Sequence, residues 1–203
     1  MSVLRLLAAN GRDDALPGAE LWFAPAWLAE GPADALLASL HEQIPWETHR
    51  IRLFGREVDS PRLSRWIGDE AAAYTYSGAR FEPRGWPAAL TVVRERLAGE
   101  QHCEFNSVLA NLYRDGRDYM GWHGDAEAEL GPQPVIASLS LGAVRRFVLK
   151  SRSTPTVKRA VELPHGSLLL MRGDTQRNYR HALPRTARPV GARINLTFRR
   201  IVR

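Results

Sequence analysis

The sequence predicts an α+β, mainly β fold, in which a helical flank packs on a C-terminal antiparallel sandwich or jelly roll. Two observations carry this expectation. After residue 105, six short runs of strand character follow one another, separated by turn signals and without intervening helices. Before residue 100 stand two stretches whose apolar residues recur at helical spacing. The 203 residues suffice for one ordinary core, and 44% apolar with 25% charged usage excludes a largely disordered chain.

Taken in order, residues 1–18 mix polarities around Gly11, Pro17 and Gly18 and read as a weakly structured lead. Glu20-Leu21-Trp22-Phe23 reads as a short strand. From Pro32, the positions of Leu36, Leu37, Leu40, His41 and Ile44 make one helical stripe, stopped by Pro45. A second helix begins at Pro87, carries Leu90, Val93, Arg94 and Leu97 on one side, and ends at Gly99. Between them, residues 46–80 read as short extended pieces broken by Gly55, Pro61, Gly68 and Gly78. Strands are then expected over 108–113, 135–141, 146–150, 160–163, 167–171 and 193–201. Turns at Asp115-Gly116, Gly131-Pro132, Gly142, Pro164-His165-Gly166 and Gly173-Asp174 separate them. The expected organisation is a lead over 1–18 and one domain over 19–203, with the flank at 19–105 and the β core at 106–203.

Composition narrows the function classes. No apolar run approaches the roughly 18 residues a membrane helix needs, and the opening apolar stretch is too short for a secretory signal, so a cytoplasmic protein without membrane partner is expected. Cys103 is the only cysteine, which excludes an internal disulfide and a multi-cysteine zinc site. Of the 28 cations, 26 are arginine. Residues 1–100 hold 11 cations and 14 anions, whereas residues 101–203 hold 17 and 8. The basic second half fits either a polyanionic partner or a solvated surface.

His123-Gly124-Asp125 is the central motif. In an extended segment residues two apart project from one face, so an imidazole and a carboxylate enter the same space. Standing alone, the same triplet also fits a turn with an incidental histidine. His181 follows 58 residues later, placed to fold back beside the pair. Two imidazoles and a carboxylate suit Fe(II) in an oxygenase, and also zinc in a hydrolase; the chain has no His-Glu-x-x-His helix to favour the latter. Arg193-Ile194-Asn195-Leu196-Thr197-Phe198-Arg199 alternates throughout, putting Arg193, Asn195, Thr197 and Arg199 on one face. That face either meets water or grips an anion such as a dicarboxylate. Asn111 and Tyr113 share a face of their own strand, as sheet residues satisfied by neighbours or as cosubstrate contacts.

Together, Asn111-Leu112-Tyr113-Arg114-Asp115-Gly116, His123-x-Asp125, Ala137-Ser138-Leu139-Ser140-Leu141-Gly142, His165-Gly166-Ser167-Leu168, His181-Ala182-Leu183-Pro184 and Arg193-x-Asn195-x-Thr197-x-Arg199 resemble the AlkB family of Fe(II)/2-oxoglutarate dioxygenases. The likeness runs from about Leu53 to Ile201 and is greatest to the animal DNA-repair branch. It implies a double-stranded β-helix (jelly-roll) core with flanking N-terminal helices and a nucleotide-recognition lid. It implies iron on His123, Asp125 and His181, and 2-oxoglutarate on Asn111, Tyr113, Arg193, Asn195, Thr197 and Arg199, with Arg193 on the distal carboxylate. The activity implied consumes O2 and demethylates N1-methyladenine or N3-methylcytosine in DNA, releasing formaldehyde, succinate and CO2.

A base in a duplex must be extruded to reach such a site. The resemblance implies that Phe54, at the tip Leu53-Phe54-Gly55-Arg56, is the wedge that fills the gap. It places Tyr74, Tyr76 and Ser77 in the lid over the base, Arg62 as a cation near the DNA, and Glu127 near the exocyclic amine. Arg145, Arg146, Arg172, Arg177 and Arg180 are candidate phosphate contacts. Ala126 departs from the branch, which often has a second acid there, and this bears on base preference. The implied partner is alkylated duplex DNA with a flipped base, bound by a monomer. Two alternatives are the same chemistry on methylated RNA or single strands, and a non-catalytic nucleic-acid-binding jelly roll.

Overall fold

Strand alternation in the second half follows from a central sheet covered on both faces by different layers. A computed structural model describes residues 16–53, 56–76 and 79–202, with backbone only for 51–53, 56, 74–76 and 79–81. The chain runs β1 (Glu20–Ala24), α1 (Glu30–Gln43), β2 (Glu47–Leu53), β3 (Arg56–Gly68), β4 (Tyr74–Tyr76), β5 (Ala79–Phe81) and α2 (Ala88–Gln101). It continues through β6 (Ser107–Tyr113), β7 (Met120–His123), a 3₁₀ turn (Ala128–Leu130), β8 (Ile136–Gly142), β9 (Arg145–Ser151), β10 (Lys158–Leu163), β11 (Ser167–Arg172), α3 (Thr175–Asn178), β12 (Tyr179–Leu183) and β13 (Arg193–Arg199). Seven strands form the large sheet in the order β1-β11-β8-β13-β6-β3-β2, four form the small sheet β10-β9-β12-β7, and β4-β5 is a separate pair. The expected mainly β, jelly-roll architecture with flanking helices is what is found.

β13 lies at the centre of the large sheet. Ile194 pairs with Leu112 and Leu141, and Leu196 with Ala110 and Leu139. This row and Phe198 pack with Leu36 and Leu40 of α1 and Leu90, Val93 and Leu97 of α2 in one core. Each fully buried Leu, Ile or Phe there stabilises the fold by about 1.5–3 kcal/mol relative to an exposed position. A second core, including Leu109, Ile136, Phe147, Leu149, Leu169, Met171 and Tyr179, joins strands of the two sheets. The opposite row of β13, with Arg193, Asn195, Thr197 and Arg199, therefore enters the space between the sheets.

Several expectations are corrected. Pro61 does not break a strand: β3 continues past it, because the pairing with β2 shifts register between Thr48 and Arg50 and spares the ladder bond that proline cannot donate. The lead does not stay loose to Gly18, since Leu16 is buried, Tyr179 Oη donates to Pro17 O at 2.9 Å and Asn178 Nδ2 to Gly18 O at 3.1 Å. The strand region contains the short α3 and the 3₁₀ turn, so it is not free of helix. α2 runs two residues beyond Gly99 and ends where His102 takes a left-handed φ of 51°. Among the described residues no helix is long and apolar enough to cross a membrane.

Candidate active site

The polar row of β13 is flanked by β6 on one side and β8 on the other. Asn195 lies between Asn111 of β6 and Ser140 of β8, Arg193 between Tyr113 and Gly142, and Thr197 between Leu109 and Ser138. Every residue of β6 and β13 is buried. This excludes the water-facing reading of Arg193, Asn195, Thr197 and Arg199. Asn195 Nδ2 donates to Ser138 Oγ at 2.9 Å and to Leu139 O at 3.1 Å, and its Oδ1 accepts from Thr197 Oγ1 at 3.3 Å.

Arg193 is 1% exposed. Its Nη2 donates to Ser140 Oγ at 2.9 Å, while Nε and Nη1 are buried and without hydrogen-bond partners. Burial is the main reason its pKa falls to about 10; Tyr113 opposes this and Arg145 adds to it. A buried cation with two unmet donors is a receptor for a carboxylate, which accepts two parallel hydrogen bonds. The Tyr113 ring lies 5.3 Å from this guanidinium and 5.8 Å from that of Arg145.

The small sheet supplies the histidines. β12 pairs with β7 so that His181 stands directly opposite His123. Their ring centroids are 4.2 Å apart, and Phe147 stacks on His181 at 5.2 Å. Asp125 follows two residues after His123, and one ligand atom from each of His123, Asp125 and His181 lies within 4.8 Å of the others. His123 Nδ1 lies 2.8 Å from Gly121 O, so Nδ1 carries the proton and Nε2 keeps its lone pair. Asp125 Oδ1 accepts from Arg199 Nη2 at 2.7 Å. Its Oδ2 is buried without a hydrogen-bond partner, 3.9 Å from His181 Nε2.

The electrostatics prepare these groups for a cation. Burial, helped by neighbouring His123 and opposed by Asp125, lowers the His181 pKa to about 3. Burial also lowers that of His123. For Asp125 burial acts upward, yet Arg199 and the two histidines outweigh it and hold the pKa to about 2. At neutral pH the set is two neutral imidazoles and one carboxylate with an unengaged oxygen, the donor set a divalent metal needs. One cavity is lined by this triad, by Asn111, Tyr113 and the β13 row, and by the apolar Met120, Phe147, Met171 and Leu183. The residues present fit a divalent metal and a dicarboxylate side by side.

The remaining expected residues are distributed differently. Arg62 is buried, and its Nε donates to Asn111 Oδ1 at 2.7 Å, placing it behind the cavity wall. Glu127 is half-buried at the start of the 3₁₀ turn and does not line the cavity. Tyr74 and Tyr76 lie on β4, opposite Phe81 and Ala79. Phe54 and Ser77 lie outside the described residues. Arg145 is no phosphate contact: it is buried and donates to the carbonyls of Asp115, Asp118 and Pro184. Arg172 is half-buried and donates to Gln101 Oε1 at 2.6 Å, whereas Arg146, Arg177 and Arg180 are exposed. His165 is structural, its Nδ1 accepting from Gly142 N at 2.8 Å.

Sequence reasoning assigned no role to Ser138, Ser140 and Gln176. The two serines were detectable, because Ala137 to Gly142 alternates as β13 does. Gln176 carries no local signal: its Oε1 accepts from Asp125 N at 2.9 Å, a contact across 51 residues.

Known proteins bear on this geometry. The 2OG-Fe(II) oxygenase superfamily matches residues 20–199. DNA oxidative demethylase ALKBH2 of Mus musculus is 37% identical over 180 residues, covering 84% of this chain and 75% of the relative. Alpha-ketoglutarate-dependent dioxygenase alkB homolog 3 of Homo sapiens is 36% identical over 186 residues, covering 87% of this chain and 64% of the relative. The solved structure of OsALKBH1 superimposes with a TM-score of 0.67 over 98% of this chain and 100% of that one, at 15% identity, a likeness of fold alone.

Proposed function

This chain belongs to the 2OG-Fe(II) oxygenase superfamily, and on that premise we propose that it is an Fe(II)/2-oxoglutarate-dependent dioxygenase that oxidatively demethylates N-alkylated bases in DNA. The single observation that carries the reading is the coexistence, in one buried cavity, of the His123, Asp125, His181 set and a guanidinium with two unmet donors. His123, Asp125 and His181 would hold the iron. When bound, iron with 2-oxoglutarate supplies O2-dependent oxidation of a C–H bond, the step that converts an N-methyl group to formaldehyde. Succinate and CO2 are the cosubstrate's products.

The protein's own groups do the positioning. The His123 Nδ1 hydrogen bond to Gly121 O fixes the tautomer that presents Nε2. Arg199 engages one oxygen of Asp125 and leaves the other for the metal. Arg193 grips the distal carboxylate of 2-oxoglutarate, with Asn111, Tyr113, Asn195 and Thr197 completing its pocket. Met120, Phe147, Met171 and Leu183 exclude bulk water from the reacting centre.

On the substrate side the reading is DNA alkylation repair, consistent with the relatives named DNA oxidative demethylase. The alkylated base is flipped from a duplex, Phe54 fills the gap, and Tyr74, Tyr76 and Ser77 cover the base. Arg62 acts through Asn111, and Glu127 approaches the exocyclic amine.

The test is mass spectrometry of oligonucleotides carrying 1-methyladenine or 3-methylcytosine, duplex and single-stranded, DNA and RNA, incubated with enzyme, Fe(II), 2-oxoglutarate and ascorbate. Loss of the methyl group from DNA, abolished by His181→Ala, is expected. Methylated DNA left intact while RNA is cleared, or no turnover of any oligonucleotide, overturns the reading. Phe54→Ala should lower activity on duplex at least tenfold more than on single strands.

A further inference from the structure

The geometry points to Gln176 as a positioning residue for the metal site, acting through the backbone of Asp125; the inference rests on the dioxygenase reading and deepens it. Gln176 belongs to α3 and is 2% exposed. Its Oε1 accepts the Asp125 N–H at 2.9 Å, and its Nε2 donates to Met171 Sδ at 3.3 Å, so both ends of the amide are engaged. The Asp125 N–H can only donate, so it requires the amide oxygen on its side and turns the NH2 group toward the Met171 sulfur, a weak acceptor.

The loop bearing the ligand fits tightly against the same short helix. A Cβ on Gly124 would come within 2.6 Å of Arg152 Nη2 and 3.2 Å of the carbonyl oxygens of Gln176 and Tyr179. A side chain there would have to displace the end of Arg152 and shift those carbonyls by a few tenths of an ångström. α3 is itself secured from outside the site, since Thr175 Oγ1 accepts from Glu20 N at 2.8 Å and donates to Glu20 O at 3.3 Å. Asp125 is therefore held at two points, its carboxylate by Arg199 and its amide by Gln176. With only Arg199 present, the residue can pivot about that ion pair and carry Oδ2 away from the histidines. A buried N–H left without an acceptor drives that pivot, as it must find another partner. Partners one layer behind metal ligands are commonly worth 10–100-fold in metal affinity.

The experiment compares the full-length wild type with Gln176→Met, which keeps volume and removes the amide oxygen, and Gln176→Glu, which keeps an acceptor. Anaerobic Fe(II) is titrated at saturating 2-oxoglutarate, read by the visible charge-transfer band, and Mn(II) binding without cosubstrate is read by calorimetry. We expect Gln176→Met to weaken both metals 10–100-fold and Gln176→Glu to stay within threefold. The 2-oxoglutarate affinity at saturating metal should stay within threefold in both variants, which a general loss of packing would not allow. Gln176→Met binding metal like wild type, or Gln176→Glu losing as much as Gln176→Met, overturns the assignment and leaves the dioxygenase reading intact. A wild type that forms no band with Fe(II) and 2-oxoglutarate overturns the dioxygenase reading itself, and this inference with it.

Discussion

Replacing Arg193 with methionine should separate binding from folding. In the cosubstrate-free protein the guanidinium is 1% exposed, donates from Nη2 to Ser140 Oγ, and leaves Nε and Nη1 buried and unmet. Its pKa of about 10, well below the ordinary guanidinium range, corresponds to a burial penalty of about 3 kcal/mol at neutral pH. Because the folded pKa lies below the unfolded one, the penalty is complete below pH 10 and fades only as pH rises above it. Methionine fills similar space without charge, so the cosubstrate-free variant should be as stable as wild type or more so. The donors left unmet account for the opposite effect on binding. Two charge-assisted hydrogen bonds to a carboxylate, at about 1.5 kcal/mol each, sum to about 3 kcal/mol. That is a loss of roughly 150-fold in 2-oxoglutarate affinity. Thermal unfolding without ligand and anaerobic titration of the Fe(II) complex measure the two arms. A variant that binds 2-oxoglutarate within threefold of wild type, or unfolds many degrees lower without ligand, would refute the reasoning and make Arg193 a structural partner of Ser140.

Three further outcomes follow from particular contacts. Arg199→Met leaves the buried Asp125 carboxylate without its partner and should cost about 3–5 kcal/mol in metal-free protein; Mn(II) should then raise the melting temperature more than in wild type, and an equal rise in both would contradict this. The fold holds His181 neutral with a pKa near 3, so below pH 6.5 the unfolded chain takes up a proton the folded one refuses. Metal-free stability should therefore fall by about 1.4 kcal/mol per pH unit between pH 6 and 4, with His123 acting in the same direction. Asp125 contributes only below its ordinary 3.8, as pH falls toward 2. Urea midpoints at several pH values should lose most of this slope in His181→Gln, and an unchanged slope would place the acid sensitivity elsewhere. Gly142 has φ +87°, and a Cβ there would sit 2.5 Å from Ala192 O, so Gly142→Ala should destabilise by about 1–3 kcal/mol; an unaltered melting temperature would show that the turn adapts freely.

How much of this was readable in advance depends on the range of the contact. The Arg193 to Arg199 row and the Asn111, Tyr113 pair were legible because side chains alternate strictly along a strand. The stop at Pro45 and the turn at Gly142 were legible for similarly local reasons. β7 and β12 were not separately marked as strands, being short and bounded weakly, and Pro61 misled because its ladder bond is spared by a register shift that depends on β2. Arg145 read as a surface cation, although three carbonyls from distant loops enclose it.

Local polarity patterns thus determine which side chains point the same way, and so the composition of each half of the site. They do not specify what covers a face. Water and a buried cavity make equal demands on one alternating strand, until α1 and α2 occupy one side of the large sheet and the small sheet the other. The pairing of His181 with His123, the burial that keeps both imidazoles neutral, and the grip of Gln176 on Asp125 depend on strand neighbours dozens of residues away. Those contacts arise only when the sheets close on each other, because desolvation and cross-strand distance belong to the assembled layers and not to any segment.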